Sequence, residues 1–144
     1  MHVLDQEAKG LAWKLRSLSL ENRRHILAEA FKLASETITG LEPAVHVLLK
    51  AISDSNMLSE TQVAEAKSLA ETADERYLNL QEEQAPESEW LNWFSTARLL
   101  TAIAKGFGGS SWNDMADAVY ELSKTRDDPS EIITFIESRI EASR

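Results

Sequence analysis

Cysteine is absent from this chain, so neither a disulfide nor a metal site built on thiolates can form. The N-terminus, Met1 to Glu7, has no basic start followed by an apolar run, and no signal peptide is visible there. Long apolar runs are also missing, since no stretch approaches the roughly 20 residues that a membrane-spanning helix needs. These absences predict a cytoplasmic protein that does not span a membrane.

Basic residues are few. Lysine and arginine number 15 against 24 acidic residues, which gives a net charge of −9. Nucleic acids and anionic membranes are polyanions, so this charge opposes binding to either of them. The run Arg23-Arg24-His25 is too short for a nucleic-acid patch and has no interleaved aromatic residues for base stacking. The charge balance predicts no nucleic-acid or membrane partner and favours a basic protein partner.

Metal-ligand patterns are missing as well. The pairs Glu21/His25 and Glu42/His46 are four residues apart, whereas helical di-iron sites use a glutamate and a histidine three apart. The additional inward-facing glutamates of such sites cannot be identified on any apolar face. We therefore predict no metal site, and local pairs of exposed helix residues explain these histidines.

Catalytic signatures are equally absent. The chain has no Gly-x-Ser-x-Gly turn and no His-Glu-x-x-His pair, and no carboxylate falls on an apolar stripe. The glycine cluster from Lys105 to Ser111 lacks the lysine placement and the preceding strand of a phosphate-binding loop. A helix end followed by a new helix start explains that cluster. We predict a protein with no catalytic residues and no cofactor.

Apolar residues recur at helical spacing along the whole chain, and no strand-like alternation appears. The first segment, about Leu4 to Leu18, places leucines and alanines at steps of three and four. A length of 144 residues suits one domain, which buries roughly two thirds of its unfolded surface. The pattern predicts an all-α, compact single-domain bundle of about six to seven helices over residues 1–144.

Several helix boundaries have chemical signals. Serines that can accept a first-turn amide, and prolines that fit a first turn, mark five helix starts. These starts lie at Ser19, Pro43, Ser59 with Gln62, Ser111 with Asp114, and Asp128 with Pro129. Gly40 is placed to end the second helix, and Pro86 predicts a loop over residues 81–88.

One helix, near residues 88–105, is apolar on nearly all sides. A helix with that pattern is normally buried on both sides, which predicts that this one forms the centre of the bundle. Trp90, Trp93 and Phe94 share one side of it. Their spacing favours a place mainly in the core rather than at an interface.

The acidic residues concentrate just before that helix. Seven carboxylates oppose only Arg76 there, which accounts for six of the nine net negative charges. Charge of one sign raises the rate of association with an oppositely charged protein. The sequence therefore predicts a partner-binding surface, with a merely solvated helix face as the alternative. Its residues are Glu71, Asp74, Glu75, Glu82, Glu83, Glu87 and Glu89. Helical spacing predicts that Glu71, Asp74 and Glu75 point away from the apolar face of their helix.

These observations favour a non-enzymatic protein–protein interaction domain that docks a basic partner. Small size, acidity and an all-helical build suit a bacterial immunity or antitoxin-type inhibitor, whose partner would be a basic toxin. The second hypothesis is a small-molecule-binding helical domain with a pocket near Trp90 and Trp112, beside the glycine turn. An enzyme of a type without these signatures is the third.

Overall fold

The computed structural model describes residues 10–108, 111–126 and 128–143. These residues form seven α-helices and no strand, which confirms the all-α class. The helices are α1 (Leu11–Arg16), α2 (Leu20–Ser35), α3 (Pro43–Ser55), α4 (Glu60–Glu82), α5 (Glu87–Gly108), α6 (Trp112–Ser123) and α7 (Ser130–Ala142).

Four of the five chemical start signals lie at the observed helix starts, and the fifth is displaced by one residue, since Pro129 stands at the N-cap position of α7 and not in its first turn. The Ser19 hydroxyl accepts the amide of Asn22 at 3.1 Å, and Pro43 occupies the first turn of α3. Reciprocal capping boxes form at the starts of α4 and α6, as their serine and acceptor spacing predicts. Before α7, the hydroxyl and the amide of Ser130 donate hydrogen bonds to Asp128, which lower the pKa of that carboxyl.

Helix ends differ more from the prediction. The second helix ends at Ser35, whereas Gly40, with a φ of 66°, stands in the following loop. The helix α4 also ends later than predicted. It continues to Glu82, so the loop predicted over residues 81–88 shortens to residues 83–86. The N-terminal part of the first predicted helix lies outside the described residues.

The glycine cluster does not end α5 where we expected, because Gly106 and Gly108 both lie within its last turns. The reason is packing. A Cβ atom on Gly106 would lie 2.4 Å from Cδ2 of Leu27 and 3.1 Å from Cβ of Ala118. Gly106 therefore lets α5 approach α2 and α6 closely, and its place in the helix is explained by contact rather than by termination.

The central position of α5 is confirmed. This helix packs most extensively against α4 and next against α6, and it also contacts α2. Leu99, Leu100 and Ile103 are fully buried, and Phe107 meets Phe31 at a ring-centroid distance of 5.7 Å. The C-terminal half of α5 thus forms the middle of the core, while its N-terminal half is only partly covered.

Candidate functional site

Six of the seven predicted carboxylates are exposed, and no salt bridge joins any of them to another described residue. We call these six, together with the exposed Leu78, the acidic face. The six are Glu71, Glu75 and Glu82 on α4, Glu83 in the turn, and Glu87 and Glu89 in the first turn of α5. Within the described residues, no ion pair offsets the charge of these six side chains.

The α4 part of this face is a single stripe. Glu71, Glu75, Leu78 and Glu82 follow one another at steps of four, three and four, so they share one side of the helix. The first and last of them lie about 16 Å apart along the axis. Leu78 is 52% exposed, which places an apolar side chain between carboxylates. Sequence reasoning missed Leu78, although an isolated leucine opposite the buried alanines was a visible signal.

The carboxylates near the turn lie closest to each other in the chain. Glu82 ends α4, Glu83 follows it in the connection of residues 83–86, and Glu87 and Glu89 lie in the first turn of α5. Acidic side chains in the first turn of α5 interact favourably with the positive end of that helix. The turn therefore concentrates four negative charges at one end of the α4–α5 pair.

The orientation predicted for Asp74 is wrong. We expected it to point away from the packed side of α4, but its carboxylate accepts hydrogen bonds from Nη2 of Arg98 at 3.1 and 3.2 Å. The side chain is partly covered, and its charge is offset by the guanidinium. Asp74 therefore does not belong to the acidic face.

Arg98 connects three helices. Its Nη1 donates to Oε2 of Glu121 on α6 at 2.8 Å, while Nη2 reaches Asp74 on α4. Lys105 Nζ lies 3.7 Å from the other oxygen of Glu121, whose side chain is only 14% exposed. Sequence reasoning missed this network. The available signal was a single charged residue in the middle of the otherwise apolar α5.

The aromatic residues of α5 pack against α4, the helix that carries part of the acidic face. Tyr77 of α4 packs against Trp90 and Phe94, with ring centroids 5.8 and 5.2 Å apart. The guanidinium of Arg76 lies 4.8 Å from the centroid of Trp93. These α5 side chains are half-buried rather than fully buried, so the core placement predicted for them is only partly right. They fix α4 on α5 through aromatic and cation–π contacts.

The pocket expected near Trp90 and Trp112 is not supported by the geometry. Trp90 lies near the start of α5, and Trp112 follows its end, so the helix separates them by about 27 Å. One pocket of ordinary size cannot be lined by both. A groove of 460 Å³ lies instead between α4, the C-terminal half of α5 and the start of α6, close to the glycine turn.

Among the described residues, no group of three or more histidines and carboxylates could hold a metal ion. His25 pairs with Glu29 at 3.1 Å rather than with Glu21. None of the described helices combines the length and the apolarity that crossing a bilayer requires.

Comparison of the chain with protein family models, with curated proteins and with solved structures finds no match in any of the three.

Proposed function

We propose that this protein is a non-enzymatic interaction domain that docks a basic protein on its acidic face. One observation carries the proposal: six exposed carboxylates have no ion-pair partner among the described residues, and three of them lie on the same side of α4 as the exposed Leu78. Exposed carboxylates are commonly paired with basic residues or dispersed over the surface. The six of the acidic face have no such pairing among the described residues, and they lie close together in the chain.

The two components of the face have different roles in binding. The carboxylates attract a basic surface over a distance and increase the association rate. The side chain of Leu78 gives the partner apolar surface to cover, which slows dissociation once contact is made. A partner that fits therefore has lysine or arginine residues around a small apolar depression.

The most concrete form of this function is a bacterial immunity or antitoxin-type inhibitor. Such a protein has to capture a toxin quickly, and steering by opposite charge is a direct way to do so. A basic toxin matches the charge of the acidic face.

The experiment uses the purified product of the reading frame beside this protein's own gene. Stopped-flow mixing measures its association rate with the wild type and with the variant Glu82→Lys, Glu83→Lys, Glu87→Lys, Glu89→Lys. At low salt we expect association to slow by roughly tenfold or more, since the steering field is reversed at the docking site. Thermal melting should change little, because these side chains are exposed.

A matched control separates local charge from net charge. The variant Glu36→Lys, Glu42→Lys, Asp54→Lys, Glu65→Lys changes four exposed acidic residues outside the acidic face. We expect it to slow association much less. Equal slowing by both variants, or none by the first, would contradict a docking role for the acidic face. If the neighbouring product does not bind the wild type, the inhibitor form of the proposal is wrong.

A further inference from the structure

The groove between α4, α5 and α6 has charged walls and a floor of small residues, and we call it the charged groove. Its walls include Lys67, Glu71, Lys105 and Asp114. Ala70 and Ala104, each 6% exposed, form the floor with Gly108. A volume of 460 Å³ falls within the range of about 300–1,000 Å³ that small-molecule sites occupy.

The alignment of α4 with α5 determines the order of these charges along the charged groove. Gly108 lies against Val63 at one end, and Arg98 binds Asp74 at the other, so the two helices run antiparallel. Lys67 is therefore level with Lys105. Glu71 lies one helical turn further along α4, about 6 Å away, and Asp74 lies about 10 Å away. On α4 and α5, the ammonium groups therefore lie at one end of the charged groove and the carboxylates Glu71 and Asp74 toward the other, while Asp114 of α6 is a further carboxylate in its wall.

Several of these charges remain available to a ligand. Lys67 and Glu71 are four residues apart, yet no salt bridge joins either one to another described residue. Lys105 shares Glu121 with Arg98, and the arginine is the closer partner, at 2.8 Å against 3.7 Å. Asp114, in contrast, is engaged by the hydroxyl of Ser111 at 2.7 Å. Lys67 is thus open to an anion and Glu71 to a cation, while Lys105 is held only by its 3.7 Å contact with Glu121.

We propose that the charged groove binds a small zwitterion, with a carboxylate at the lysine end and an ammonium group at the Glu71 end. The apolar floor fits a short aliphatic chain between the two charges. An ω-amino acid or the amino acid lysine has this chemistry, since an aliphatic chain separates its terminal ammonium from its carboxylate. This assigns the small-molecule function expected from the sequence to the charged groove rather than to a pocket shared by Trp90 and Trp112. Glu71 belongs to both the charged groove and the acidic face, whereas Glu82, Glu83, Glu87 and Glu89 do not line the groove.

The test is an NMR titration of the full chain with ε-aminocaproate, with caproate and hexylamine as probes that have one charge each. We expect saturable shifts of the Thr101 and Gly108 amides. Affinity for the zwitterion should exceed that for either single-charge probe by about tenfold, because each charged contact adds to binding. Absence of saturation with ε-aminocaproate, or equal binding of the single-charge probes, overturns the proposal.

Two variants locate the site. Lys67→Met with Lys105→Met should weaken binding by about tenfold, because the carboxylate loses its partners. The matched control, Lys32→Met with Lys50→Met, removes two exposed lysines of α2 and α3 and should leave binding unchanged. Melting curves confirm that both variants are folded. Equal weakening in the two variants would exclude the groove.

The outcome is separable from that of the acidic face. Reversing Glu82, Glu83, Glu87 and Glu89 should not affect binding of ε-aminocaproate, because none of these residues lines the groove. A shifted binding curve in that variant would count against the assignment.

Discussion

The two halves of α5 are both rich in apolar residues, but they are covered very differently. From Ala97 to Phe107 most side chains are buried, because α2, α4 and α6 all approach this half. From Trp90 to Ser95 every side chain is only half-buried. An apolar pattern on all sides of a helix therefore indicates burial only where other helices are present to cover it.

The residue types of the two halves fit this difference. Alanines, leucines and Gly106 fill the C-terminal half, where neighbouring helices come close. Two tryptophans and Phe94 fill the N-terminal half, where large rings extend across to Tyr77 and Arg76 of α4. Large aromatic side chains thus cover part of a helix that has few neighbours, and they support the acidic face while doing so.

The strongest test of this comparison is the same substitution in both halves. Leu100→Ala should lower the free energy of unfolding by about 2–5 kcal/mol, because it leaves a cavity in a closed core. Leu91→Ala, at a half-buried position, should lower it by about 1 kcal/mol. Urea unfolding followed by circular dichroism measures both values. Equal losses would mean that the two halves of α5 contribute alike to the free energy of unfolding, which would contradict the difference between them.

Arg98 lies at the boundary between the halves, and its removal should have the next largest effect. Arg98→Met leaves Asp74 and the nearly buried Glu121 without their shared cation, and should lower the free energy of unfolding by about 1–3 kcal/mol. Adding Glu121→Gln should recover part of the loss in the same urea experiment. If the double variant loses as much free energy of unfolding as the two single variants added together, Arg98 and Glu121 act independently, which would contradict the network.

The smallest effect is expected in the N-terminal half. Arg76→Gln removes the cation above Trp93 and should lower the free energy of unfolding by about 0.5–1 kcal/mol. In a Trp93→Leu background the same substitution should have almost no effect, since the ring is already gone. An undiminished loss in that background would assign the contribution of Arg76 to another contact.

Helix starts followed from the sequence because each depends on a few adjacent residues, such as Ser59 with Gln62. The stripe of carboxylates on α4 also followed, since helical spacing fixes which side chains share a face. Asp74 and Gly106 were misjudged for a common reason. The partner of each, Arg98 for the first and Leu27 for the second, comes from another helix. The spacing of residues along one helix does not show which side chain of another helix will contact them.

The short connection between α4 and α5 also affects how the chain folds. Among the described helices, the most extensive helix–helix contact forms between neighbours in sequence, across a connection of only residues 83–86. Closing a short loop loses little conformational entropy, and contacts between nearby segments form fast. We therefore expect the α4–α5 hairpin to be an early folding unit onto which the remaining helices assemble.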